Sequence, residues 1–142
     1  MAETSDVRRL VREAIEEAQA AATKRRIRVA SATREGERVI RQIATPLFRT
    51  IANALKAEGQ LFRVDTPPGA VRLTALGGSE NFVELALDTA RHPPVVELRV
   101  NRVRGRRVAL EERVVCQDPG IGSLTEDAIL EVVMPALLPF LE

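Results

Sequence analysis

The chain has 142 residues, 45% of them hydrophobic and 29% charged, with 21 Lys and Arg against 20 Asp and Glu. That balance excludes a disordered chain and a globally polycationic one, and the length suits one globular domain with its own core. The single cysteine, Cys116, excludes an intrachain disulfide, and the polar start from Met1 to Asp6 carries no secretory pattern, so a soluble cytoplasmic protein is expected.

In chain order, Thr4, Ser5 and Asp6 suit the start of a helix in which Val7, Leu10, Val11, Ala14, Ile15, Ala18 and Ala22 recur at helical spacing. This seam is thin and rich in alanine. It allows close approach of another helix but buries little area per residue, so it calls for a partner from the same chain or from a second copy. The helix is expected to persist through Lys24, Arg25, Arg26 and Arg28 and to loosen near Gly36. A second helix follows, with Val39, Ile40, Ile43, Leu47, Phe48, Ile51 and Leu55 on one face and Gly59 as its stop. Within it, either Thr45 caps a new helix at Pro46 or Pro46 kinks a continuous one, and the unbroken apolar stripe favours the kink.

From Leu61 to Cys116 the pattern changes to period two, the signature of an antiparallel sheet. Turns are signalled at Thr66-Pro67-Pro68-Gly69, Gly77-Gly78-Ser79, His92-Pro93-Pro94 and Arg104-Gly105. The alternate apolar positions Phe62 and Val64, Val71 to Ala75, Val83 to Leu87, Val96 to Val100, and Val108, Leu110 and Val114 are expected to share one buried face. Keeping those sets in register sets Leu85 opposite Leu98 and Val100 opposite Leu110. Glu84 then faces Arg99, Arg99 faces Glu111, and Glu97 faces Arg113, a charge ladder contributing about 0.2 to 1 kcal/mol per pair. A three-residue loop ending on Gly105 would slip that register by two and oppose Glu97 to Glu111. Glu112 falls on the apolar face, where a carboxylate needs the sheet margin, a partner or a site.

After a loop over residues 117–122, Ser123-Leu124-Thr125-Glu126 reads as a capping box. The helix it opens is apolar nearly all round from Ile129 to Leu141, with Pro135 and Pro139 bending or ending it, and is too short to span a bilayer. One sheet face cannot cover every side of it, so Val133, Leu137, Phe140 and Leu141 are candidates for an interface.

The expected fold is α+β: an antiparallel meander of about five strands, covered on one face by two N-terminal helices and a C-terminal helix. Residues 1–36 would form a helical arm, part of it protruding, and residues 37–142 a compact core. Chemistry is sparse. His92 and Cys116 are the only residues of their kinds, and no catalytic, metal-binding or cofactor-binding spacing is present. Basic residues instead cluster in two places, eight against two acidic from Lys24 to Arg49 and five against none from Arg99 to Arg107. Three functions follow in order. The first is a non-enzymatic interaction or assembly module, self-associating as a homodimer. The second is nucleic-acid binding through Lys24, Arg25, Arg26, Arg102, Arg104, Arg106 and Arg107, in which the absence of Trp and Tyr argues against base stacking. The third is a small-ligand pocket between sheet and helices around Glu112. The order of long helix, antiparallel sheet and C-terminal helix beginning near an Asp and a capping Thr resembles the YbaB-type nucleoid-associated proteins in layout, and implies no role for any particular residue.

Overall fold

The first helix does not stop where its glycine and proline suggest it should. In the computed structural model, which describes residues 3–77 and 80–141, helix α1 is α-helical over Thr4–Val39, widens into a π segment over Ile40–Ala44 and resumes over Thr45–Ala57. The two expected N-terminal helices are therefore one. With α2 (Glu126–Leu137), the fold has two helices and not three.

Both expected interruptions are absorbed by local geometry. Pro46 has no N–H, and its ring crowds the carbonyl four residues back, on Gln42. A turn widened just before the proline relieves that crowding. Thr45 closes the wide turn by donating to the Ile40 carbonyl from its N–H and again from its hydroxyl, at 2.7 Å. Thr45 is thus a bridge within one helix and does not cap a new one. At Gly36, which is buried, the missing side chain makes room for a neighbour: an added Cβ would stand 2.6 Å from Leu87 Cδ1. Gly59 does terminate the helix. It adopts φ +82, with Gln60 N–H on Leu55 O at 2.8 Å and Gly59 N–H on Lys56 O at 3.0 Å, the paired bonds of a Schellman ending.

Five strands, β1 (Phe62–Asp65), β2 (Ala70–Ala75), β3 (Phe82–Asp88), β4 (Val95–Arg104) and β5 (Arg107–Gln117), form one antiparallel sheet in sequence order. Gly78 and Ser79 of the expected β2–β3 turn lie outside the described residues. The β3–β4 register places Leu85 opposite Leu98 and Glu84 opposite Arg99, as alternation requires.

The β4–β5 register differs from the expectation by one residue. Arg104 pairs with Arg107, leaving Gly105 and Arg106 as a two-residue loop with Gly105 at φ +59, the place where a type II′ turn takes glycine. Val100 therefore faces Glu111, Arg99 faces Glu112 and Glu97 faces Val114. Because a one-residue slip exchanges faces, Val108, Leu110, Glu112 and Val114 all lie on the side of the sheet away from the helices. A bulge between Val96 and Glu97 then restores the parity, so that Cys116 faces Val96 on the helix side.

The chain divides into two units, residues 1–31 and 32–142. The first comprises the helical residues 4–31. In the second, Val39, Ile40, Ala44, Leu47, Phe48, Ile51 and Leu55 of α1 pack with Val71, Leu73, Val83, Leu85, Val96, Leu98 and Val100 of the sheet, and Ile129, Val133 and Leu137 of α2 complete the core. Arg38 ties α1 to the loop before α2, donating to Gly122 O at 3.0 Å and to Glu35 Oε2 at 3.1 Å. Helix α2 starts one residue pair later than a capping box at Ser123 would place it. Ser123 ends a 3₁₀ turn over Gly120–Ser123, and Thr125 is the cap, its hydroxyl accepting from Ala128 N–H at 3.2 Å.

Gly36 provides a test of the helix–sheet contact. Gly36→Ala should destabilise the fold although alanine favours a helix by about 1 kcal/mol. Combined with Leu87→Ala it should cost less than the sum of the two single changes, as read from urea midpoints.

Candidate functional site

The outward face of the sheet is built from the alternate residues that the core does not take, and its register opposes charges of unlike sign. Glu84 of β3 and Glu97 of β4 are 3% and 2% exposed, although both lie on the face without helices. They are covered by arginines. Arg72 Nη2 approaches Glu84 Oε1 at 3.1 Å, Arg99 Nη1 approaches Glu84 Oε2 at 3.5 Å, and Arg99 meets Glu97 Oε1 through Nη2 at 2.6 Å and Nε at 2.7 Å. Arg91, in the β3–β4 turn, adds a contact of 3.6 Å to Glu97 Oε2. Burial works against the Arg99 charge, but the hydrogen bond and charge of Glu97 outweigh it, with Glu84 and Glu112 adding attraction, and hold the guanidinium above its ordinary pKa. Arg72 also lies 4.1 Å over the Phe82 ring.

At one margin, Arg63 Nε donates to Asp65 Oδ1 at 2.9 Å, and the Thr74 hydroxyl donates to Asp65 Oδ2 at 2.9 Å. The Arg63 bond leads in holding the Asp65 carboxyl below its usual range, against burial. Sequence spacing signalled the Glu84–Arg99 pair but not Glu97 as the second carboxylate on Arg99. Glu97 lies two residues before Arg99 on the same strand, and the loss of the Glu97–Arg113 pairing frees it to turn toward Arg99.

The basic hairpin divides between structural and exposed residues. Arg102 is 3.7 Å from Glu111. Arg104, Arg106 and Arg107 are exposed around the β4–β5 turn, with no ion-pair partner among the described residues. Lys24, Arg25 and Arg26 are exposed on α1 in the first unit, where Arg26 donates to the Thr23 hydroxyl at 3.2 Å. Glu112 is exposed on β5 opposite Arg99 and faces away from the helices, so it cannot line a pocket between them and the sheet.

The residues expected to form an interface on the last helix are placed otherwise. Val133 and Leu137 are fully buried in the chain's own core, because the spacing Ile129, Val133, Leu137 faces the sheet. Phe140 and Leu141 are half-buried against the same core. The large apolar residues exposed here are Met134 on α2 and Leu138 just past its end.

The larger apolar surface is on α1. Val7, Leu10, Val11 and Ile15, the large members of the apolar pattern that opens the helix, are 46%, 56%, 52% and 51% exposed. A second apolar row, Val108, Leu110 and Val114, is exposed on β5, but Arg107, Glu112 and Arg113 are interspersed with it on an edge strand, which discourages strand pairing. A cleft of about 510 Å³ opens between α1 and the β1–β2 turn, lined by Glu37, Arg41, Thr45, Arg49 and residues 66–70. It is the sheet–helix cleft that reasoning from Glu112 missed, and its only sequence signal is the spacing of Glu37, Arg41, Thr45 and Arg49 four apart along one helix face.

Cys116 is half-buried, and burial pushes its thiol pKa up, away from the nucleophilic range. Among the described residues no helix is long and apolar enough to cross a membrane. No protein-family model, curated protein or solved structure matches the chain. The likeness in layout to the YbaB-type proteins therefore carries no argument.

The buried charges and the exposed ones should respond differently to loss of a partner. Arg99→Met, which leaves Glu84 to Arg72 alone and Glu97 to the longer Arg91 contact alone, should cost more than about 1 kcal/mol of unfolding free energy, up to the roughly 3 to 5 kcal/mol of a fully broken buried pair. Glu112→Gln on the exposed side of the same arginine should cost less than about 1 kcal/mol in the same urea titration.

Proposed function

We propose that the protein is a non-enzymatic interaction and assembly module that associates with itself through the first unit's α1 surface. The supporting observation is the half-exposed run Val7, Leu10, Val11 and Ile15. Four large aliphatic side chains on one stripe of a helix are a poor surface to leave in water. Full burial of a side chain of this size gains about 1.5 to 3 kcal/mol, and each of these, being half exposed, has about half of that left to gain, so pairing this stripe is a direct source of association energy. The alanines that continue the stripe, Ala14, Ala18 and Ala22, let a second helix come close. The last helix is not the carrier, since its Val133 and Leu137 are already spent on the core.

Light scattering across a size-exclusion peak tests this. The wild-type chain should elute at twice its chain mass, and Val11→Glu with Ile15→Glu should elute at one chain mass with an unchanged far-ultraviolet dichroism spectrum. A wild-type protein that stays at one chain mass at high concentration would remove the reading.

A second reading rests on Arg104, Arg106 and Arg107, which surround the β4–β5 turn without acidic partners among the described residues. Guanidinium groups on a protruding turn suit phosphates. If the hairpin binds nucleic acid, affinity for a duplex should fall steeply with added salt, and changing all three to Glu should abolish binding at an unchanged urea midpoint. Affinity indifferent to both salt and charge reversal would exclude it. With Trp and Tyr absent, nucleic acid retained on purification would dominate the ultraviolet spectrum.

A further inference from the structure

The charges that flank the apolar stripe of α1 are arranged in a way that one isolated helix does not favour. Glu13 and Glu17 stand four residues apart on one flank, and Lys24 and Arg28 stand four apart further along the same flank. Like charges at that spacing repel. No compensation is within reach along the helix. The residues three and four positions from Glu17 are Ala14, Glu13, Ala20 and Ala21; those from Lys24 are Ala21, Ala20, Ile27 and Arg28; those from Arg28 are Arg25, Lys24, Ser31 and Ala32. Glu13 has Arg9 four residues before it, but Arg9 is paired with Asp6 at 3.8 Å.

We infer that α1 pairs with α1 of a second copy in antiparallel orientation, about a two-fold axis at Ala20, setting Glu13 and Glu17 of each chain against Arg28 and Lys24 of the other. This rests on the self-association proposed above and specifies its geometry. In antiparallel helix pairs, matching flanks meet and the two kinds of seam position alternate in layers. Placing Glu17 against Lys24 of the second copy sets Leu10 against Ser31 on the same flank, and in the seam Ala18 against Ala21, Val11 against Arg28 and Ala14 against Arg25. Each contact is repeated by the symmetry. The same register therefore satisfies flank and seam.

The parallel pair and the adjacent antiparallel registers fail on charge. A parallel pair would place Arg25 on its own copy and Arg28 on its own copy inside the seam. An antiparallel pair shifted by one heptad would place Glu17 on Glu17 in one direction or Lys24 on Lys24 in the other. In the register inferred here the long stems of Arg25 and Arg28 cover Ala14 and Val11 of the second copy, while their charged ends reach water or the Glu13 and Glu17 flank.

Disulfide trapping in the full-length chain, in a Cys116→Ala background, tests the orientation. Val11→Cys and Arg28→Cys should each give no cross-linked dimer alone, because in this register position 11 lies about 25 Å along the axis from its own copy. An equimolar mixture should cross-link on mild oxidation. Charge reversal tests the contacts. Glu13→Lys with Glu17→Lys should raise the dimer Kd about tenfold or more, and adding Lys24→Glu with Arg28→Glu to the same chain should restore it. Cross-linking of Val11→Cys with itself, a dimer whose mixture does not cross-link, or a dimer indifferent to charge reversal would overturn this register while leaving self-association in place. A chain that is monomeric throughout would overturn both readings.

Discussion

A sheet covered by helices on one side must close its other side with its own residues, and in this protein the closure is ionic. Glu84 and Glu97 are the most deeply placed charges in the second unit, and Arg72, Arg91 and Arg99 lie across them. Desolvated carboxylates are tolerated only when cations and hydrogen bonds replace the lost water. The network therefore fixes the positions of β2, β3 and β4 relative to one another through side chains as well as backbone, and the helix layer is laid on a sheet whose register is already specified from behind. A one-residue slip between β3 and β4 would bring the glutamate of the slipped strand to the apolar side and part it from its arginines, so the same charges act against the wrong pairing.

The helix side depends on a different constraint, the requirement that one long helix stay continuous while it presents an apolar stripe to a twisted sheet. The π segment over Ile40–Ala44 adds a residue to one turn. That addition accommodates Pro46 and changes the phase of the stripe, so that Val39 before it, Ile40 and Ala44 within it, and Leu47, Phe48, Ile51 and Leu55 after it all reach the core. Gly36 serves the same packing by giving the Leu87 side chain the space of a missing Cβ. Residues that would ordinarily punctuate a helix are here the means by which it fits its sheet.

The first unit differs in kind. Its helical residues carry aliphatic side chains half in solvent, an acidic run at 13–17 and a basic run at 24–28. These features are explained together if the partner is the same sequence read in the opposite direction, and the basic segment is then an association surface before it is a phosphate-binding one. The hairpin arginines Arg104, Arg106 and Arg107 have no such explanation within the chain, which keeps nucleic acid as the second reading.

Much of the architecture was legible in the amino-acid sequence because it is written in local periodicity. The five strands follow from period-two alternation between turn residues, the stripe from Val39 to Leu55 from helical spacing, the end at Gly59 from its need for positive φ, and the Glu84–Arg99 pair from keeping apolar positions in register. What the sequence could not decide is what depends on parity and on available space. Whether Val108, Leu110 and Glu112 face the helices turns on one residue in the Gly105–Arg106 loop, and alternation reads the same on either face. Whether Gly36 loosens a helix or admits Leu87, and whether Val133 and Leu137 seek a partner or fill the core, depends on a neighbour from a distant part of the chain. Sequence determines which residues alternate; only the tertiary structure decides which side of the alternation is inside, because burial is a property of what packs opposite.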